Sequence, residues 1–232
     1  MEISVIIPVY NEETRINCIT KVINYLDRRF SEFEIIVSDN GSTDDTVKIA
    51  QGFADVDNRI KVLKCKSRGK GLAVREGILS SVGKLVLFTD VDLSTPIEEI
   101  DKLIHALEEG YDIVIASRWL PSSQILKRQL RIRETFGRLL NWIIQKVYLP
   151  GIFDTQCGFK LFRGGIAREL FSEQKIDGFL FDVEILCRAR KKGYKICEEP
   201  VHWINDESSK VSMIKHFPQI IIDLIRIKYL VG

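Results

Sequence analysis

Two carboxylates one residue apart, Asp90 and Asp92, follow the apolar run Leu85–Thr89 and precede Ser94-Thr95-Pro96. Two negative charges held that close are costly unless a hard, oxygen-seeking cation such as Mg²⁺ or Mn²⁺ joins them. Such ions keep part of their shell for phosphate oxygens, so the chemistry on offer is metal-assisted handling of a phosphate or diphosphate. Alternate residues of an extended strand point to one side, which would let the pair converge. The same tripeptide has a plainer reading, in which Asp92 caps a following helix. Ser94 or Thr95 would serve as alternative caps, with Pro96 and Glu98-Glu99 in the first turn. The surrounding chain has to choose between the two.

The elements that must carry this pair are legible from hydrophobic period. Ile3 to Pro8 is a short continuous apolar run rich in β-branched residues, the pattern of a strand covered on both faces, and a helical pattern follows to about Arg29. The unit repeats with a strand at Glu34–Ser38 and a helix at about Asp44–Phe53. A third strand at Ile60–Cys65 precedes a helix opened by Ser67-Arg68-Gly69-Lys70-Gly71 and ending near Gly83, and a fourth strand runs over Lys84–Thr89. Strands alternating with helices at this spacing predict a parallel, doubly wound sheet with its carboxyl-end loops along one edge. Tyr10-Asn11-Glu12, Asp39-Asn40-Gly41-Ser42, Arg68-Gly69-Lys70-Gly71 and Asp90-Val91-Asp92 then meet at one crevice. Beyond it the pattern predicts a fifth strand at Asp112–Ser117 and a basic connector from Arg118 to Arg138 leading into an amphipathic helix at Leu139–Leu149. A turn plus strand at Asp154–Arg163, a helix at Gly178–Arg190, a last strand at Lys195–Trp203 and an apolar-faced end at Met213–Val231 follow, Pro218 kinking or restarting the last.

Composition limits what the crevice can belong to. At 232 residues, 45% of them hydrophobic, the chain can bury one substantial core, and one domain over 1–232 is expected. The formal charge of +2 hides an asymmetry: residues 1–117 hold 14 Lys and Arg against 20 acids, net −6, and residues 118–232 hold 20 against 12, net +8. An acidic, metal-ready half is joined to a basic half. Five cysteines without C-x-x-C and without an apolar leader fit reduced thiols in a cytoplasmic protein, and His105, His202 and His216 lack zinc-ligand spacing. No apolar run reaches the roughly 18–20 residues that span a bilayer.

Gly69-Lys70-Gly71 lacks the four-residue spacing of a phosphate-binding P-loop, and Tyr-Asn-Glu follows the first strand where a dinucleotide fold would place its glycines. What remains is a nucleotide held near the first two loops, its pyrophosphate on a metal at the acidic pair. The motifs Ile6-Ile7-Pro8-Val9-Tyr10-Asn11-Glu12, Ser38-Asp39-Asn40-Gly41-Ser42-Thr43-Asp44, Arg68-Gly69-Lys70-Gly71 and Asp90-Val91-Asp92 together resemble family-two glycosyltransferases of the GT-A fold. Asp154-Thr155-Gln156-Cys157-Gly158-Phe159-Lys160-Leu161-Phe162, Phe181-Asp182-Val183-Glu184 and Ser209-Lys210-Val211 are similar to the dolichyl-phosphate β-glucosyltransferase and polyprenyl-phosphate mannosyltransferase branch.

That resemblance implies a GT-A fold: an α/β, mostly parallel, Rossmann-like sheet with helices on both faces and amphipathic interface helices. It also implies a nucleotide-sugar-binding half over 1–117, an acceptor-binding half over 118–232, and roles within them. Pro8, Tyr10, Asn11, Glu12 and Asp39 would bind base and ribose, Lys70 the phosphates, and Asp90 and Asp92 the Mg²⁺ or Mn²⁺ on the diphosphate. Arg118, Arg133, Arg138, Gln156 and Lys210 would hold the acceptor, Arg118 close to the reacting centre. Asn40 stands where the family often has a second Asp, which removes any role needing a charge there.

A lipid monophosphate, with a second pKa of about 6, is already an anionic nucleophile and needs cationic positioning more than a general base. The basic half offers that. The expected function is inverting hexose transfer from a nucleotide-sugar, UDP-glucose first and GDP-mannose second, to a dolichyl or polyprenyl phosphate at the cytoplasmic face of a membrane, which the enzyme would meet peripherally. Rivals are transfer to a soluble acceptor and a catalytically silent nucleotide-sugar or membrane-binding module. A nucleic-acid partner is not expected: the basic residues are interleaved with aliphatics, and the acidic half would repel phosphates without a metal.

Overall fold

A computed structural model of the protein describes residues 1–127, 131–204 and 213–231, with side chains at all of these except 126–127, 131–136, 138 and 213–217. The first strand, Ile3–Val9 (β1), is buried at all seven positions, as its unbroken apolar run requires. Alternate residues serve opposite layers. Ile3, Val5, Ile7 and Val9 enter one core and Ile6 the other. The first layer holds helices Ile19–Arg29 (α1), Thr46–Val56 (α2) and Ile100–Glu108 (α4); the second holds Lys70–Ser80 (α3), Arg131–Val147 (α5), Gly164–Ser172 (α6), Phe181–Lys191 (α7) and Met213–Val231 (α8).

The strands Phe33–Asp39 (β2), Ile60–Lys64 (β3), Leu85–Thr89 (β4), Ile113–Ser117 (β5), Phe159–Arg163 (β7) and Ile196–Pro200 (β8) join β1 in one sheet of order β3-β2-β1-β4-β7-β5-β8. Strands from both the acidic and the basic halves build it. The chain winds outward from β1 to β3 and then returns to β1's other side with β4, so a crevice opens at the carboxyl ends between them. β7 is antiparallel to both neighbours. Its direction brings the residues that precede it, up to Gly158, alongside the end of β4, where Asp90 N–H donates to Gly158 O at 3.0 Å.

Several sequence expectations shift. The Lys195–Trp203 segment is two strands, β8 and His202–Ile204 (β9), the latter pairing in parallel with Gln124–Lys127 (β6) as a separate two-stranded sheet. The basic connector therefore carries a strand before its helix. Helix α6 adds an element between β7 and α7 that those expectations do not include; it opens on Gly164-Gly165, and glycine is a poor helix former. The terminal helix α8 contains Pro218 within its span; the lost N–H falls in its second turn, near the end where amides lack intrahelical acceptors.

Candidate active site

Asp90 and Asp92 do not lie on the strand. β4 ends at Thr89, and the pair occupies a turn closed by Leu93 N–H to Asp90 O at 3.2 Å, with Leu93 at φ +46°. A branched side chain in the left-handed region is uncommon and strained, and the turn it permits replaces the strand alternation that the sequence suggested. The helix-cap alternative also fails. Asp92 Oδ1 accepts Ser94 N–H at 2.9 Å, while the short 3₁₀ turn Ile97–Glu99 ahead of α4 starts at Pro96 with no side-chain cap. Glu98 and Glu99 do occupy its first turn. Burial, reinforced by the charge of Asp90, raises the Asp92 carboxyl above its ordinary range; this is the cost of holding two carboxylates together.

Asp90 already has a cation. Lys70 Nζ, at the start of α3, sits 2.8 Å from Asp90 Oδ1. Burial works against the ammonium charge, but Asp90 and then Asp182 outweigh it and hold Lys70 above its ordinary value. Behind them lies a second pair that sequence reading did not assign: Lys160 Nζ bonds Asp182 Oδ1, and both side chains are almost wholly enclosed. Lys160 faces Phe88 in the β4–β7 register, and the Lys70 and Lys160 ammonium groups lie 5.4 and 5.5 Å from the Phe88 ring centroid. The signal was present as one charge inside the apolar strand Phe159-Lys160-Leu161-Phe162. Asp182 stands in the first turn of α7 and makes no helix-capping bond.

Gly158 explains why the turn before β7 needs glycine. A Cβ there would stand 1.9 Å from Asp90 Oδ2. The same turn delivers Asp154, which is buried and takes Arg118 in a fork, Nε to Oδ2 at 2.7 Å and Nη2 to Oδ1 at 2.9 Å. Arg118 also lies 5.6 Å from the Trp203 ring, and Glu198 accepts Phe153 and Asp154 N–H at 2.6 and 2.8 Å, fixing the turn from below. Burial opposes the Arg118 charge and Asp154 more than restores it. Gln156 belongs to this turn, and its Nε2 is buried without a partner among the described residues. Burial pushes the Cys157 thiol up to about 12, which fits packing and not nucleophilic chemistry. Glu184 is structural: it accepts Lys175 and Ile176 N–H and pairs with Arg188.

The first two loops are laced to each other. Pro8 pairs with Ser38 in the β1–β2 register, and Asn11, at φ +54°, donates its N–H to Ser42 Oγ while its Oδ1 accepts Thr43 N–H. Glu12 is forked to Arg15 at 2.6 and 2.7 Å. Asp39 is buried and accepts the Gly41 and Ser42 N–H groups, and Asn40 Oδ1 accepts Gly69 N–H. That amide bond ties the second loop to the third, a task an uncharged residue performs well. Tyr10 is exposed, with Arg68 5.0 Å over its ring, a flat platform open to a base. Of the remaining candidates, Arg133 and Arg138 lie on α5 with side chains outside the described residues, and Lys210 lies outside them altogether.

Among the described residues no third His, Cys, Asp or Glu joins Asp90 and Asp92. Two hard carboxylate oxygens at a position that already attracts an ammonium fit Mg²⁺ or Mn²⁺, which complete their shells from phosphate and water, and do not fit a closed four-ligand zinc site.

A mostly parallel sheet, a carboxylate turn at its switch point and an exposed aromatic ring on the first loop define a GT-A-type fold. Residues 4–171 match Glycosyl transferase family 2, and the chain belongs to that family. It is 36% identical to a dolichyl-phosphate beta-glucosyltransferase of Dictyostelium discoideum, over 99% of this chain and 75% of that protein. It is 33% identical to the human protein of the same name, over 100% of this chain and 76% of that one. In fold it is similar to the glucosyl-3-phosphoglycerate synthase of Mycobacterium tuberculosis solved with Mn²⁺ and UDP-glucose, with TM-score 0.69 and 20% identity over 97% of this chain and 78% of that one.

Proposed function

We propose that this glycosyltransferase moves glucose from UDP-glucose to a dolichyl or polyprenyl phosphate, with inversion and with a divalent cation at Asp90 and Asp92. The observation that carries the reading is the carboxylate turn set between Lys70 and the Arg118–Asp154 fork, in a chain whose curated relatives are named for that reaction. Tyr10 stacks the base, with Pro8, Asn11, Glu12 and Asp39 shaping the base and ribose pocket. When bound, the cation neutralises charge gathering on the diphosphate as it leaves. Lys70 pairs with a phosphate oxygen on the same side. Arg118, helped by Arg133, Arg138, Gln156 and Lys210, orients the acceptor phosphate. One of its oxygens attacks the anomeric carbon, the bond from that carbon to the diphosphate oxygen breaks, and the nucleoside diphosphate departs with the electron pair. No proton has to be removed from the acceptor, because a phosphate monoester is largely dianionic at neutral pH.

The acceptor's tail calls for a surface that meets a bilayer, at about 0.8 kcal/mol for each CH₂ otherwise exposed to water. No helix among the described residues is long and apolar enough to cross a membrane. Tyr148, just past the end of α5, donates its Oη–H to Leu224 O of α8 at 2.7 Å, and the two helices expose Leu139, Trp142, Val147, Ile221, Ile222, Ile225 and Tyr229. Apolar side chains beside Lys146 and Lys228 suit the headgroup layer of the cytoplasmic leaflet.

The test is a panel of radiolabelled UDP- and GDP-sugars with polyprenyl phosphate, with Mn²⁺ or with EDTA, scored for label entering the organic phase. Label from UDP-glucose, lost in EDTA, is expected. Label from GDP-mannose instead would replace the donor, and transfer to water-soluble acceptors alone would overturn the lipid acceptor.

A further inference from the structure

The charges under the crevice alternate in a line: Asp90, Lys70, Asp182, Lys160. The two ends of this line are backed by close neighbours. Asp90 is backed by Gly158, where even a methyl group would overlap its carboxylate, and its N–H is tied to Gly158 O. Asp182 and Lys160 are enclosed and paired to each other. The backbone under Lys70 is fixed as well, since a Cβ at Gly71 would lie 2.7 Å from Phe181 Cβ and 2.8 Å from Ile176 O. The Lys70 side chain is different: it is 27% exposed and has four rotatable carbons. It reaches one anion, Asp90, and feels a second, Asp182, which already serves Lys160.

We propose that Lys70 is the resident cation of the metal site. Without nucleotide its ammonium holds Asp90 and competes with a divalent ion; when a metal–diphosphate arrives, Lys70 leaves Asp90 and follows the phosphates, keeping Asp182 behind it. The inference rests on the metal reading of Asp90 and Asp92 given above. Its consequence is coupling. Metal binds poorly until the diphosphate offers Lys70 another partner, so nucleotide and metal bind as a unit, and by linkage each raises the other's affinity by the same factor. Free metal does not linger on an empty crevice. Asp182 and Lys160 are positioning residues here, holding the second anion at a fixed reach.

The test measures Mn²⁺ binding directly, by the loss of the free Mn²⁺ electron-paramagnetic-resonance signal, with and without UDP, and with GDP as a second arm. It uses the full chain, Lys70→Met and the charge-retaining Lys70→Arg. Thermal melts confirm folding, which is expected to survive at a partly exposed helix start. In Lys70→Met, Mn²⁺ alone should bind about tenfold tighter than in the wild type, and the enhancement by UDP should shrink by a similar factor; Lys70→Arg should stay near wild type. Equal Mn²⁺ affinity of wild type and Lys70→Met without nucleotide overturns the resident-cation role and leaves the metal site standing. If Mn²⁺ binds neither protein even with UDP or GDP, the metal site itself fails, and this role with it.

Discussion

The floor of the crevice and the outer face of α5 and α8 solve opposite problems. On the floor three cations are each paired inside the protein: Lys70 with Asp90, Lys160 with Asp182, Arg118 with Asp154. The backbones that bring them together approach too closely for a side chain at Gly71 or Gly158. On the helical face, large apolar side chains such as Trp142, Ile225 and Tyr229 are exposed among the described residues. One region is finished before any ligand arrives; the other is completed by whatever it meets. Damage to the floor should therefore appear in turnover, and damage to the face in the use of one substrate only.

The sharpest break is Asp92→Asn. It keeps the shape and the Ser94 contact but removes one of two charges that attract the cation, so turnover should fall by roughly three orders of magnitude. The melting temperature should hold or rise slightly, because the carboxyl that burial and Asp90 penalise is gone. Near-normal turnover would remove the metal from the mechanism.

Next in size is Gly158→Ala. Its methyl carbon falls 1.9 Å from Asp90 Oδ2, so the carboxylate or the turn must move. A displacement of about 1 Å at a reacting centre costs on the order of 100-fold in kcat, and overpacking adds about 1–3 kcal/mol of destabilisation. Unchanged kcat would mean that the Asp90 position is not critical.

A buried carboxylate away from the crevice is the control for both. Glu34 accepts Ser4 Oγ–H at 2.6 Å, Val82 N–H at 2.8 Å and the Lys61 ammonium at 2.8 Å. Burial alone would raise its pKa, but these three partners bring it below the ordinary carboxyl range. A lowered folded value means that the stabilisation is fully present above the unfolded value near 4.3 and is lost as pH falls through the folded one. Glu34→Gln should cost about 2 kcal/mol at pH 7, roughly 30-fold in the folding equilibrium, and clearly less at pH 3, with kcat unchanged. Denaturant titrations at the two pH values measure it. A pH-independent cost would mean that packing, not charge, makes the difference.

These contrasts also mark what the sequence could and could not convey. The β-α repeats, the four crevice loops and the basic second half follow from period and residue type, because a buried parallel strand such as β1 must be apolar at every position. The antiparallel β7 was legible as a strand but not as the neighbour of β4, since pairing between residues some 70 positions apart leaves no local trace. With that pairing hidden, Lys160 appeared only as a stray charge and Gly158 only as a turn residue. The Asp90–Asp92 pair was legible as two adjoining carboxylates, but its geometry comes from Leu93 at φ +46°, a strain that no propensity announces. Arg118 was visible as a cation but not as the holder of Asp154, which the sequence reading left unassigned.

The smallest effect belongs to the helical face. Ile222 and Ile225 are 50% and 55% exposed on α8, and Leu224 and Ile227 on the same helix point into the core. Changing Ile222 and Ile225 together to Glu leaves core packing untouched, so stability should move by no more than about 0.5 kcal/mol. Each glutamate removes apolar area from the headgroup layer and adds a charge that anionic lipid repels, at about 1 kcal/mol per charge near the surface. Sedimentation with vesicles containing phosphatidylserine should show binding reduced several-fold, and the wild type should lose binding as salt rises, since the Debye length shrinks from about 10 Å at 0.1 M to 3 Å at 1 M. The apparent KM for polyprenyl phosphate presented in those vesicles should rise about fivefold, while kcat and the affinity for UDP-glucose stay the same, because nothing in the crevice has moved. With a short-chain, water-soluble prenyl phosphate the double variant should match the wild type. A loss with both acceptors would place these isoleucines in the catalytic fold; no loss with either would leave the exposed face of α8 without a part in reaching the lipid.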